Sequence, residues 1–550
     1  MAASVALLLV LVAAPLAMLA AQSVIIGGRL SLDAYAEVIG RSLYYQALLN
    51  TLIVGAGSAV LAVLFGTPLA WVVSRTDLPL RGAIRSAITA AFVAPPFLLA
   101  VAWVILAAPN TGVLNRLVTT VLGTERGPFN AYTIQMLTLV TALHTFPTVF
   151  LLASAALESS DASLEHAARL LGAGRLGTTL RITLPLVLPS ILTGAILAFV
   201  TAIALFGSQA ILGIPGRVYT LSTRVYQVLA YPPDYGVASA LSMSLVVLTV
   251  VALALQRRVL RRRDVATIGG RGAGVERISL GRWRPFTLAA CAAFLCVAVV
   301  LPYGALAAVS LTKAWTAGLV PGNLTLDNYA AVLFRIDITQ RAIGNSLLLG
   351  VLTATGALAL GIVIATIDLR TRMRGRTLLD YLALMPLGLP GIVVAVAILE
   401  LWLRLPFDLY GTLLILLLAY LTRFIPLAVR SAHAALGQVD RSLEDAARIA
   451  GAGQWGTQRL VTLPLVRSAL LAGWVLVFVP TLGELSASVL LFTPDTVTLA
   501  VAIFNLQDNG KLELVSALGI VLLVLVTAVV LLARRIAGRP VLGLASGVSS

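Results

Sequence analysis

Charge is what this chain has least of. Only 11% of its 550 residues are Asp, Glu, Lys or Arg, against about 25% in an ordinary soluble domain. That excludes a soluble globular enzyme and a charged, disordered polymer alike. Lysine is nearly missing: Lys313 and Lys511 are the only two, and neither stands in the Gly-x-x-x-x-Gly-Lys spacing of a phosphate-binding loop. The chain therefore has no means of hydrolysing ATP, and any ATPase coupled to it is a separate polypeptide. The two cysteines, Cys291 and Cys296, share one apolar run and frame neither a disulfide scaffold nor a metal pair. The three histidines, His144, His166 and His433, are scattered. No catalytic triad, zinc site or cofactor fingerprint is legible, so no metal and no bound cofactor are expected.

What the chain has in quantity is apolar sequence: 59% hydrophobic residues and a mean hydropathy of +0.99. A spanning helix needs about 20 mostly apolar residues. Runs of that length fall at 4–26, 46–73, 86–108, 132–157, 182–207 and 236–256, and again at 286–311, 343–367, 378–403, 411–436, 464–492 and 514–533. The expected fold is an all-α, polytopic membrane protein of about 12 spans. Residues 1–256 and 285–550 form two six-helix halves, joined by an Arg-rich linker at 257–284. The stretch Met1 to Ala21 has the apolar look of a signal peptide. It lacks the preceding positive charge, the first basic residue being Arg29, so it reads as a retained first span.

The net charge of +16 does not point to nucleic acid here; it follows the positive-inside rule. The linker carries nine Arg against Asp264 and Glu276. Residues 74–85 and 368–377 are Arg-rich, and the tail holds Arg534, Arg535 and Arg539 with no acid. The intervening loops are nearly balanced. This places both termini in the cytoplasm. An even number of spans per half makes the repeat parallel rather than inverted.

The halves echo each other along their length. Leu30–Tyr35 matches Leu324–Tyr329, Asn50-Thr51-Leu52 matches Asn345-Ser346-Leu347, and Pro95 and Pro147 match Pro390 and Pro426. Whether those prolines break their spans or only kink them is open in the sequence. The strongest echo pairs 156–186 with 435–465, where 18 of 31 positions are identical without a gap. Its core is Glu165, Ala167, Ala168, Arg169, Gly172, Gly174 and Gly177, against Glu444, Ala446, Ala447, Arg448, Gly451, Gly453 and Gly456. Asp161 or Ser163, and Asp440 or Ser442, are N-cap candidates. The acid in the first turn suits the helix dipole. The Ala pair leaves a small face that another protein can approach closely, and the Gly-Ala-Gly triplet ends the helix in a left-handed cap. The pattern predicts a short surface helix-turn-helix in each half, bearing Ala, Gly and mixed charge rather than the bulky anchors of an interfacial helix.

This duplicated segment resembles the Glu-Ala-Ala loop of the permease subunits of bacterial binding-protein-dependent ABC importers, and the resemblance covers essentially the whole chain. It implies a type I importer fold, with each loop a coupling helix docking into an ATPase subunit. It also implies two ATPase copies carrying ATP and Mg, an extracytoplasmic substrate-binding protein, and a multi-pass place in the bacterial inner membrane. His166 and Asp445 depart from the motif, standing where its first Ala is usual. The fused double-length form is similar to ferric-iron-type permeases, whose relatives handle thiamine, phosphonates or polyamines. Gly483–Ser488 resembles that group's Glu-Leu-Pro-Ala-Thr stretch, with Ser486 and Ser488 replacing its Pro and Thr, and Phe206-Gly207-Ser208 resembles its first-half counterpart.

Ionisable groups within spans are costly, and each is a functional candidate. Glu484, read as lying inside span eleven, either faces a cavity and steers a cation, or pairs with Arg423, or sits near the membrane edge. His144 and Arg423 hold the same place in the repeat, three residues before Pro147 and Pro426; they face the pathway, or Arg423 snorkels to the surface. Ser208, Gln209 and Ser486 complete the candidate substrate path. Glu400 and Arg404 form a local pair four residues apart. An ion-coupled secondary transporter is the alternative reading, but it leaves the twin loops without a purpose.

Overall fold

The computed structural model describes the chain apart from residues 1, 27, 161–164, 166, 169, 173, 262–276, 319 and 538–550. Ten helices are long and apolar enough to cross a membrane: Ser4–Val24, Ser42–Arg75, Ile134–Ser159, Thr179–Ala204, Tyr235–Arg258, Gly281–Ser310, Asp337–Arg370, Leu413–Gly437, Gln458–Leu482 and Leu512–Ile536. Two further helix pairs are sharply bent, and the total is up to 12 if each pair counts as one span. Among the described residues the extended pairing is limited to a two-stranded sheet of two residues a side, Ile25–Ile26 against Arg29–Leu30, and the isolated bridges Thr76–Ile278 and Thr312–Leu324. The fold is all-α.

The bent pairs answer the proline question. Arg81–Val93 and Pro96–Ala107 meet at 100°, and Arg376–Gly388 and Gly391–Trp402 at 115°. These were expected as single spans, 86–108 and 378–403. Residues before proline are pushed out of the helical region. Here Ala94 is extended at φ −69°, ψ 137° before Pro95 and Pro96, and Leu389 at φ −84°, ψ 130° before Pro390. Each break falls at an extended residue before proline, whereas Pro147, Pro189 and Pro426 are absorbed within helices.

The described residues form two compact units. One groups residues 1–41, 224–246 and the described part of 306–546; the other groups 42–223 with the described part of 247–305. Each unit is built on the second helix of its repeat packed along the fourth and fifth, and each also holds the first span of the other half of the sequence. In one, Thr422 donates to the Leu11 carbonyl at 2.8 Å. In the other, Phe294 packs on Phe65 and Phe146 at 5.2 and 5.1 Å between ring centres.

Close helix crossing depends on small residues, as is common where lipid supplies no hydrophobic drive for helix association. A Cβ on Gly66 would stand 2.9 Å from the Phe146 carbonyl, and one on Gly361 would stand 2.9 Å from that of Ala428.

The short echoes noted in the sequence act as clips. Tyr35 donates to Ser23 at 2.9 Å, and Tyr329 pairs with Ser310 at 2.7 Å, folding each outer segment back onto its first span. Thr51 accepts from the Leu221 N–H and Ser346 from the Leu499 N–H, each at 2.8 Å. Those N–H groups open the Leu221–Val228 and Leu499–Asp508 helices, where no intrahelical acceptor exists.

Candidate functional site

The duplicated loop is best described in the second half. Asp440 caps Arg441–Ile449, accepting from the Ser442 N–H at 2.9 Å. That backbone bond holds the Asp440 carboxyl below the usual carboxylate range. Of the two caps considered there, the chain uses Asp440. The helix closes with Gly451 at φ +91°, its N–H bonded to the Arg448 carbonyl and the Ala452 N–H to that of Ala447, each at 3.0 Å. This is the paired closure in which glycine takes a left-handed conformation after the last helical turn. Gly172 adopts the same conformation at φ +86° in the first half.

Ala446, Arg448, Ile449, Gly451 and Gly453 are exposed, while Ala447 and Gly456 are half-buried. In the first half Ala167, Gly172 and Gly174 are exposed, Gly177 is half-buried and Ala168 is buried. Arg169, His166, Asp161 and Ser163 lie outside the described residues. Leu170, Leu171 and Ile449 expose about nine-tenths of their surface. Each loop thus presents an apolar, small-residue face.

The two glutamates do not belong to that face. Glu165 and Glu444 are each only 6% exposed. Glu165 lies 3.3 Å from the Arg75 guanidinium and accepts from Thr183 at 2.8 Å. Glu444 lies 3.1 Å from Arg370 and accepts from Thr462 at 3.2 Å. The sequence places them with the small residues in the coupling segment, as first-turn acids suited to the helix dipole. A first-turn acid does suit the helix dipole, but here it also points back into the protein and binds the loop to the spans.

The candidate substrate-path residues also fall differently than expected. Glu484 is not within a helix: Gln458–Leu482 ends before it, and Glu484 occupies the irregular stretch between that helix and Ser488–Leu491. Its carboxylate pairs with Arg423 at 3.0 Å and accepts from the Ala487 N–H at 2.9 Å. Of the three readings, the pairing is the one observed. Arg423 lies directly over Gly391, where a Cβ would meet both the guanidinium and Ser486. Gly391 is therefore the residue type that lets the pair sit at the break in span nine.

Gln209 is fully buried, donating to the Ala202 carbonyl and accepting from Thr220 and Ser222. Its amide is engaged on both sides within the protein. Ser208 is likewise buried, donating to the Pro96 carbonyl at 3.0 Å across the break in span three. Ser486 is buried beside Gly391. His144 is half-buried with no hydrogen-bond partner among the described residues. Glu400 and Arg404 pair at 3.4 Å as expected, and Arg404 also reaches Gln22 at 2.7 Å. Among the described residues no group of three His, Cys, Asp or Glu is placed to hold a metal ion.

One interaction went unread in the sequence. The end of the linker is stitched to the segment after the second span: the Ile278 N–H bonds the Arg75 carbonyl at 2.8 Å, and the Leu280 N–H bonds Asp77 at 2.9 Å. Arg284 pairs with the same carboxylate. These contacts hold the Asp77 carboxyl below its usual range.

Comparison with known proteins accounts for the repeat. The family model described as binding-protein-dependent transport system inner membrane component matches the chain twice, at residues 62–265 and 357–540. The chain is 26% identical over 512 residues to the ferric transport system permease protein FbpB of Actinobacillus pleuropneumoniae, covering 92% of this chain and 73% of that one. It is 28% identical over 239 residues to a Salmonella typhi permease protein named for 2-aminoethylphosphonate transport, covering 44% of this chain and 90% of the relative. Among solved structures, a bacterial alginate ABC transporter in complex with a pentasaccharide-bound periplasmic protein is similar at 21% identity and a TM-score of 0.36, over 44% of this chain and 85% of that one. Two matches of one family model, in tandem over most of the sequence, make this chain a fused, two-half member of the binding-protein-dependent transport system inner membrane components, the permeases of ABC importers.

Proposed function

We propose that this permease passes ferric iron inward across the bacterial inner membrane. An extracytoplasmic binding protein delivers the iron, and two copies of a separate ATPase, holding ATP and Mg, drive its passage. The observation that carries the reading is the duplicated loop: exposed small residues in both halves and matching left-handed glycines at Gly172 and Gly451. The ATPases dock on Glu165–Gly177 and Glu444–Gly456. The exposed Ala, Gly, Leu and Ile residues make the contact, while the glutamates hold the loops in place. The linker and both termini are cytoplasmic, in keeping with the Arg distribution.

Iron is favoured by the relative named for ferric transport, which matches 92% of this chain. Glu484 is already engaged by Arg423, so selectivity rests with the binding protein rather than with a fixed carboxylate in the path. The similarity to a protein named for 2-aminoethylphosphonate transport supports phosphonate as the second reading. Proteoliposomes holding the chain with its ATPase and binding protein decide between them. Radioactive ferric iron is expected to accumulate when ATP is enclosed with the ATPase. Accumulation of labelled 2-aminoethylphosphonate without iron would overturn the iron reading.

A further inference from the structure

The buried glutamates invite the question of what they hold. Arg75 is the last residue of the Ser42–Arg75 helix, and Arg370 the last of Asp337–Arg370. Each is drawn inward although it ends a helix, where a cation would satisfy the dipole equally well in water. Arg75 is 1% exposed, and the Arg370 side chain 14%. Arg370 reaches Glu444 through one nitrogen and the carbonyls of Leu436 and Val439 through another, each carbonyl at 3.0 Å. Leu436 lies in the last turn of Leu413–Gly437. In the first half Arg75 bonds Ser160, which follows Ile134–Ser159, and Glu165. Ser160 and Val439 occupy the same place in the repeat. The glutamates in turn accept from Thr183 and Thr462, which immediately precede the Leu184–Ala204 and Leu463–Leu482 helices.

We infer that Arg75 and Arg370 are positioning residues of the transport cycle. Each fastens the end of the second span, the end of the fourth, the first turn of the docking helix and the start of the fifth span into one rigid joint. A displacement of the docking helix is then delivered to all three spans together. The inference rests on the ATPase-docking reading above and adds the route by which docking reaches the membrane. Stability alone is a weak reason to keep such a cluster, since buried ion pairs are often replaced by apolar residues at little or no cost. At Arg370 a forked guanidinium that reaches a carboxylate and two carbonyls at once fixes orientation, which an apolar contact does not. A corresponding Arg–Glu–Thr cluster occurs in both halves, with the Ser160 hydroxyl in the first taking the place of the Leu436 and Val439 carbonyls in the second.

The test compares Arg75→Gln with Arg370→Gln, singly and together, in the full chain reconstituted with its ATPase and binding protein. ATP hydrolysis and uptake of labelled ferric iron are measured in the same vesicles. The double variant is expected to retain its ATPase and to move about tenfold less iron per ATP hydrolysed, the scale on which single sites alter coupling between distant regions. Arg75→Lys and Arg370→Lys, which keep the charge but not the fork, are expected to lie between, and they decide the matter if the Gln variants do not insert. An unchanged ratio of iron to ATP in the Lys or Gln variants would overturn the joint.

A spin-label pair at Ile449 and Leu460, both exposed, tests the joint without substrate or ATP. One narrow distance is expected in the otherwise unaltered chain and a broadened one with Arg370→Gln; identical distributions would overturn the joint. Failure of the unaltered complex to couple ATP to uptake, with that difference in the label distances intact, would overturn the transport reading and leave the joint standing.

Discussion

Replacing Gly172 and Gly451 together with valine is expected to abolish ATP-driven uptake while membrane insertion continues. The reason is conformational. Both residues sit at φ near +90°, and a Cβ built on either meets nothing within 4 Å, so there is no clash with neighbours to confuse the result. An L-residue in this conformation costs about 1–2 kcal/mol, and a β-branched one is a genuine outlier there. The strain falls on the turn that closes the docking helix and turns the chain into the fifth span. A paired variant with asparagine, which tolerates the left-handed region, is the control and is expected to keep most of the uptake. Uptake per inserted protein distinguishes the cases: full activity in the valine pair would mean the turn geometry is dispensable.

The second large effect is expected at the break in span nine. Glu484→Ala leaves Arg423 without its carboxylate and the Ala487 N–H without an acceptor. Stripping one partner from a buried pair costs about 3–5 kcal/mol. The lower end is appropriate here, because the Arg423 side chain remains 22% exposed. Glu484→Gln keeps an acceptor for the Ala487 N–H and is expected to lose less. The expected order of melting midpoints in detergent is unaltered, then Gln, then Ala. Equal stability in all three with uptake lost in two would contradict the structural assignment and place Glu484 in the substrate path.

The spans, the repeat and the short helix after Asp440 were legible because each follows from local pattern. Apolar runs of spanning length, Asp440 before a short amphipathic helix, and Gly-Ala-Gly after it carry their own geometry. Three things were not legible. Proline alone does not say whether a membrane helix kinks or breaks: the spans break at Pro95 and Pro390, whereas Pro147, Pro189 and Pro426 are absorbed within helices. The inward turn of Glu165 and Glu444 depends on arginines 90 and 74 residues earlier, and the positive-inside rule had already given those arginines a purpose. A usable signal was present: an Arg closes the second apolar run of both halves. The grouping of residues 1–41 with the second half left no mark, because the apolar face of a first span carries no address for its partner.

The central claim is that the chain is the membrane half of an ATP-driven importer whose ATPase is another protein. The most direct measurement is gentle purification of the tagged chain from its own membranes, with identification and stoichiometry of what accompanies it by mass spectrometry. The account predicts a phosphate-loop ATPase at about two copies per chain, one for each docking helix. A chain that comes out alone and transports without regard to ATP would contradict it.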